Sequence, residues 1–400
     1  MVVGEAVCPW VRASIAYQHD MKGHIDAIHY YSKYSIELPQ PDKSLQFPQQ
    51  PLYYYAAAMV YTASKAMGFN EHDAIYSIRV MSVVFASAWL LLGWGLVRIF
   101  TKRVLTVNLF LAFLAFTPSF IYLGGVVNND ALNALLGMAS LYFVSLFYYQ
   151  KKRKWFALST LVILLAMLTK ISSVLYALFF VAVLLVLYFK DTSRRERYQN
   201  EILVFGLAVL FVFGFALFKA YIPADGEFRF VNSGLYGGQV IPKFGVEYFL
   251  TFHLPALLEA AQSHVMGPDI IRFSLPTYFY GTLFLGEFDF SRHFSGGSLF
   301  RVWSQLIFLL GLLYAVGIAG YVYFYKRLSV LLKLIVIPVA INFALIIKFL
   351  LSYWVVCNSD FRYFTPTFGA IGLMIVLGLE QGWVKWPKMK KQILVTAVLP

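Results

Sequence analysis

The sequence predicts an all-α fold, a polytopic transmembrane helix bundle with external juxtamembrane helices, and three observations lead there. Hydrophobic residues make up 60% of the chain and charged residues only 13%, with a mean hydropathy of +0.68, more apolar surface than a soluble domain can hide from water. The apolar residues fall in runs near twenty, the length that crosses roughly 30 Å of hydrocarbon. The basic residues behind a net charge of +13 sit in short clusters between those runs, which is how membrane proteins fix their orientation. No nucleic-acid partner is therefore expected.

Taken in order, residues 1–79 read as an external N-terminal loop with juxtamembrane helices. Within it "LYYYAAAMVYTASKAM", from Leu52, is apolar enough to suggest a crossing, but its tyrosines and Lys65 suit a helix lying in the interface. Crossings follow near residues 80–100, 104–124, 131–149, 155–169, 172–189 and 202–222. The apolar stretch 155–189 is too long for one crossing and Lys170 interrupts it, so two short helices joined by a tight turn are expected. A long external loop occupies 223–302, and C-terminal crossings are expected near 303–325, 329–353 and 363–379, within a last segment of 303–400. The chain reads as truncated at both ends, because "MVVGEAVCPWVRASIAY" is broken by Glu5, Pro9 and Arg12, and "QILVTAVLP" stops as an apolar run begins. No cleavable signal peptide is evident. Cys8 and Cys357 are too few for a disulfide framework and receive no role.

Charge tests the count of crossings. Lys102 and Arg103, "QKKRK" after Tyr149, Lys190 with Arg194, Arg195 and Arg197, Lys326 with Arg327, and Lys385 with Lys388, Lys390 and Lys391 are separated by even numbers of crossings. They share one side, the cytoplasmic one. The opposite side receives "YQHDMKGHIDAIHYYSKY", "GVVNNDAL", the turn at Lys170, the long loop and "CNSDFRYF". An ionisable residue near the membrane is costly unless paired, wet or used. Asp20, Asp130, Lys170 and Arg362 reach this side from four distant parts of the chain, and that convergence suggests a site.

"GHIDAIHYYSKYSIELP" behind Asp20, "QFPQQPLYYYAAAMVY", "NNDALNALLGMASLYF", the lysine of "LTKISSVL" and the late "FRYFTPTFGAIGL", in that order, resemble the GT-C superfamily. These are polytopic glycosyltransferases that use lipid-linked sugars, protein O-mannosyltransferases and aminoarabinose transferases among them. The resemblance covers nearly the whole chain, with Gln50 standing where the family often has a second proline before Leu52. It implies a plasma-membrane enzyme with its active face extracytoplasmic. The implied reaction is inverting transfer from a polyprenyl-phosphate sugar to a lipid, glycan or protein acceptor.

By that pattern Asp20 is the catalytic base. A lysine or arginine neutralises the charge that builds on a leaving phosphate, so Lys170 and Arg362 are the candidates for holding the donor. His24, four residues after Asp20, shares a helical face with it and either orients the acid, binds substrate or joins it in holding a divalent cation. His19, His24 and His29 are spaced by five and share no face, which weakens the metal reading. Asp130 is a substrate-binding candidate whose plainer role is in a helix cap. Lys170 has the plainer alternative of snorkelling, and Tyr53 and Tyr54 are first of all interface aromatics with a secondary place in the substrate lining.

"VEYFLTFHLPALLEAA" in the long loop is helix-like. "YFYGTLFLGEFDFSRHF", with Glu287, Asp289, Arg292 and His293, reads as a surface re-entrant hairpin and a place for acceptor recognition. Two other readings stay open: a transporter or flippase for a lipid-linked saccharide, and a catalytically silent member of the fold.

Overall fold

Backbone polar groups in hydrocarbon must be satisfied within the segment, so the apolar runs become helices. The computed structural model describes residues 21–34, 37–40, 43–44, 46–221, 245–255, 257, 274–284, 297–352 and 361–385, with the backbone alone at 21, 118 and 297–309. Among the described residues there is no strand. The all-α polytopic bundle is as expected.

Among the described residues two short helices come first, α1 (Met21–Tyr34) and α2 (Leu52–Ala66). At 15 residues, α2 reaches only about 22 Å and is too short to cross. Both dock on the bundle through their own apolar cluster: Ala27, Ile28 and Tyr31 with Ala57 and Ala58, against Ile78, Val127, Leu136 and Ala166.

The bundle proper begins with α3 (Glu71–Phe100), α4 (Val104–Phe116), α5 (Pro118–Gly124), α6 (Asn129–Gln150), α7 (Arg153–Thr169), α8 (Val174–Lys190) and α9 (Arg195–Tyr221). After α10 (Val246–Leu250) and α11 (Leu275–Phe284) it closes with α12 (Gly297–Tyr323), α13 (Val330–Leu334), α14 (Val336–Ser352) and α15 (Phe368–Lys385). Among the described residues six helical stretches are long and apolar enough to cross: Glu71–Phe100, Asn129–Gln150, Ile171–Lys190, Thr192–Tyr221, Val330–Ser352 and Phe361–Lys385. Val104–Phe116 and Leu310–Tyr323 are shorter apolar helices at two further expected crossings. The chain is a multi-pass membrane protein.

Three expectations change. The crossing expected at 104–124 is broken at Thr117, because Pro118 has no N–H to give and starts a new helix; the Thr117 hydroxyl donates to the Phe113 carbonyl at 2.6 Å. α3 starts at Glu71 rather than near residue 80, because Asn70 caps it by accepting the Asp73 N–H at 2.9 Å. Residues 278–284 belong to the buried helix α11, so this part of the expected surface hairpin is core: Thr282 and Phe284 are buried, and the Thr282 and Leu283 carbonyls accept from the Ser119 hydroxyl. Glu287, Asp289, Arg292 and His293 lie outside the described residues. In "VEYFLTFHLPALLEAA" α10 ends at Leu250, with Thr251 extended behind it.

The turn expected at Lys170 is present. α7 stops at Thr169, Lys170 is extended, and one 3-10 turn, Ile171–Ser173, leads into α8.

The two ends of the bundle differ in chemistry. At one, the basic clusters meet the few acids of that end: Lys151 reaches Asp191 at 2.8 Å, Arg103 reaches Glu380 at 3.3 Å and Arg197 reaches Glu201 at 2.9 Å. Hydrogen bonds from Lys151 and Ser193 hold the Asp191 carboxyl well below its usual range, at about 2. At the other end stand α1, α2, the start of α6 and the Lys170 turn. Close helix contacts hold the ends in register. Gly317 on α12 lies where a Cβ would meet the Ile375 carbonyl of α15 at 2.6 Å, the small-residue packing that lipid-embedded helices use.

Candidate functional site

Asn128 is the residue that starts the site. Its side-chain oxygen accepts the Asp130 N–H at 2.6 Å and caps α6, so the cap of "NND" is Asn128 and the Asp130 carboxylate is left for other work. In the first turn it also favours the helix dipole. It meets Lys170 Nζ at 2.7 Å, with the two side chains only 5% and 17% exposed. Lys170 is therefore paired and largely enclosed, and snorkelling does not describe it.

The Lys170 ammonium also faces the Tyr363 ring, 5.6 Å from its centroid, and the Arg362 guanidinium lies 5.3 Å from the same ring. Arg362 and Tyr363 sit on a 3-10 segment, Phe361–Thr367, that precedes α15. Close backbone approach puts that segment there: a Cβ on Gly137 of α6 would stand 2.5 Å from the Pro366 carbonyl. The same carbonyl accepts from the Tyr176 hydroxyl. Asn342 of α14 ties the segment from the other side, donating to the Tyr363 carbonyl at 3.1 Å and to Thr367 Oγ1 at 3.0 Å.

On the far side of Asp130 comes α2. Tyr53 and Tyr54 are both fully buried, which corrects their reading as interface aromatics; the α1–α2 pair covers them. The Tyr54 hydroxyl lies 3.0 Å from His24 Nδ1 and the two rings stack, while Tyr53 meets His24 edge-on. The Tyr53 hydroxyl faces Ser82 and the Asn128 backbone, just ahead of Asp130 in the chain. Burial pushes this phenol up, so it stays a proton donor. It forms no hydrogen bond of good geometry, and neither does the Ser82 hydroxyl.

Three of the four residues expected to converge, Asp130, Lys170 and Arg362, thus meet around Tyr363, and His24, Tyr53 and Tyr54 adjoin them through Tyr53. Asp20 lies outside the described residues, one position before α1. His29 points elsewhere, to Glu71 at 2.8 Å. Among the described residues no group of three or more His, Cys, Asp or Glu is placed to hold a metal. The Nδ1 of His24 is engaged by the Tyr54 hydroxyl.

Two charged residues at this end escaped the sequence reading. Lys219, 3% exposed, donates to the Phe47 and Gln49 carbonyls at 2.7 and 2.6 Å, fastening the strap that leads into α2. Arg79 donates to the Gly125 carbonyl at 2.8 Å and fixes the approach to Asn128. Each is a lone cation in an apolar run, "FALFKAY" and "YSIRVM", a signal as plain as that of Lys170.

Residues 49–218, which include α2, Asp130 and Lys170, match the family model described as dolichyl-phosphate-mannose-protein mannosyltransferase. No curated protein matches. Among solved structures, the crystal structure of ArnT from Cupriavidus metallidurans in the apo state is similar at 14% identity and a TM-score of 0.42, over 93% of this chain and 77% of that one. The resemblance to the GT-C superfamily of polytopic membrane glycosyltransferases, first drawn from short motifs, agrees with the family model that residues 49–218 match.

Proposed function

We propose that this protein transfers a sugar from a polyprenyl-phosphate donor to a lipid, glycan or protein acceptor at the extracytoplasmic face of the plasma membrane, with inversion at the sugar carbon. The observation that carries the reading is the meeting of Asp130, Lys170, Tyr363 and Arg362 at the end of the bundle opposite the basic clusters. A donor whose tail stays in lipid presents its phosphate at headgroup depth, where these residues stand. The division into an external segment 1–79, crossings over 80–222, an external loop 223–302 and crossings over 303–400 belongs to the same proposal.

The chemistry follows from the residue types. An acceptor hydroxyl oxygen forms a bond to the sugar's anomeric carbon as the bond from that carbon to the phosphate oxygen breaks. The electron pair leaves with the phosphate, whose growing charge Lys170 and Arg362 neutralise. The hydroxyl proton passes to the Asp20 carboxylate. Tyr53, Tyr54 and His24 shape the wall of the site on the side of α2. Asp20 and His24 are the pair that would share a divalent cation, and no step above requires one.

The test is Asp20→Asn, which keeps the shape and cannot take the proton. A general base contributes about a hundred- to ten-thousandfold, so transfer in nanodiscs should fall by at least that lower factor while binding of the polyprenyl-phosphate sugar is kept. A carrier would show no such split, and transfer within a few-fold of the parent would remove Asp20 from the chemistry.

A further inference from the structure

Along one face of α6, polar and small residues meet the segment 170–176 rung by rung. Asp130, Asn133 and Gly137 stand at i, i+3 and i+7 and so share that face. Asp130 takes the Lys170 ammonium at 2.7 Å, and the Asn133 amide oxygen accepts from the Ser173 hydroxyl at 2.6 Å. At Gly137 a Cβ would stand 2.9 Å from the Tyr176 hydroxyl. The proposed chemistry makes no use of the middle rung. Asn133 and Ser173 are both fully buried, where apolar side chains would cost less to enclose. A buried polar pair adds direction instead, because one donor must meet one acceptor for its burial to be tolerated. Among the described residues the Asn133 amide nitrogen makes no hydrogen bond, so this side chain is committed to Ser173.

We infer that Asn133 and Ser173 are positioning residues for Lys170, setting the point on α6 from which its ammonium reaches a donor phosphate. The inference rests on the reading of Lys170 as a phosphate ligand. The Lys170 backbone has two supports: its N–H donates to the Ala166 carbonyl of α7 at 2.9 Å, and its carbonyl accepts the Ser173 N–H at 2.9 Å. The first support follows α7. The second follows whatever holds Ser173, and that is Asn133. Asp130 thus steadies the tip of the lysine side chain, while the Asn133–Ser173 pair steadies its base through the single turn Ile171–Ser173. A binding group misplaced by about 1 Å already loses much of its effect, so the register of this turn matters to the ligand.

Farnesyl phosphate titrated into the full chain in nanodiscs tests this, with Lys170→Met as the reference variant. Ser173→Ala should weaken binding by about three- to tenfold, less than the loss in Lys170→Met. Asn133→Leu, which nearly keeps the volume and removes the acceptor, should cause a similar loss, and the two changes together no more than either alone. In the Lys170→Met background neither change should weaken binding further, a result that a general loosening of the fold would not give. Parental affinity in Ser173→Ala or in Asn133→Leu, or an equal loss with and without Lys170, overturns the positioning role. Should one of these variants not fold, the other carries the same comparison against Lys170→Met. Unchanged affinity in Lys170→Met defeats the phosphate reading and the positioning with it, whereas weakened affinity there beside parental affinity in Ser173→Ala defeats the positioning alone.

Discussion

At the scale of single residues, the charges at the site-bearing end of the bundle divide into those that face the site and those that fasten it. Lys219 fastens: its ammonium is buried against two carbonyls of the strap at 46–49, and Lys219→Met would leave both unpaired while keeping the volume. The expected cost is about 1 to 3 kcal/mol, read as a lowered thermal midpoint in detergent, with Lys219→Arg recovering part of it. An unchanged midpoint would mean that water serves those carbonyls equally well. Lys170 and Asp130 were legible as candidates from their cost near a membrane, but that they touch each other was not, since 40 residues separate them. Arg79 and Lys219 were passed over because they lie inside apolar runs, where a lone cation reads as part of a helix.

At the scale of elements, the site depends on how near the 3-10 segment carrying Arg362 comes to α6. Gly137 sets that approach, and Gly137→Ala would place a methyl group 2.5 Å from the Pro366 carbonyl, a backbone atom that can give way only by moving the segment. Overpacking of this kind costs about 1 to 3 kcal/mol. The expected result is a lowered midpoint together with weakened binding of the polyprenyl-phosphate sugar. Binding and midpoint both at parental values would show that the segment has room to shift. The turn at Lys170 was legible, because one lysine in a 35-residue apolar stretch leaves few alternatives. The break at Pro118 was not read, although proline is a plain signal, because the hydropathy of 104–124 runs across it. The burial of Tyr53 and Tyr54 was misread for a different reason: tyrosine suits both an interface and a core, and what decides is whether another element covers it. Here α1 does.

At the scale of the whole molecule, the separation of basic and site-bearing ends makes the orientation testable. With Cys8 and Cys357 replaced by serine, a cysteine at the exposed Met67 on the site side should react with a membrane-impermeant thiol reagent added outside intact cells. One at the exposed Arg194 on the basic side should react only after permeabilisation. The reverse pattern would invert the topology and move the proposed chemistry to the cytoplasm. The sequence by itself determined the class and the rough places of the crossings, and it offered the residue types of the candidate site, because hydrophobic length and charge bias are local properties that a linear chain displays openly. Only the tertiary structure decided which of those residues touch: that Asp130 holds Lys170, that Asn128 rather than Asp130 makes the cap, that Tyr53 is buried beside them, and that Arg362 comes in on a segment seated against Gly137. Those facts depend on helix packing between distant parts of the chain, where distances of a few ångströms decide partners and no periodicity in the sequence records them.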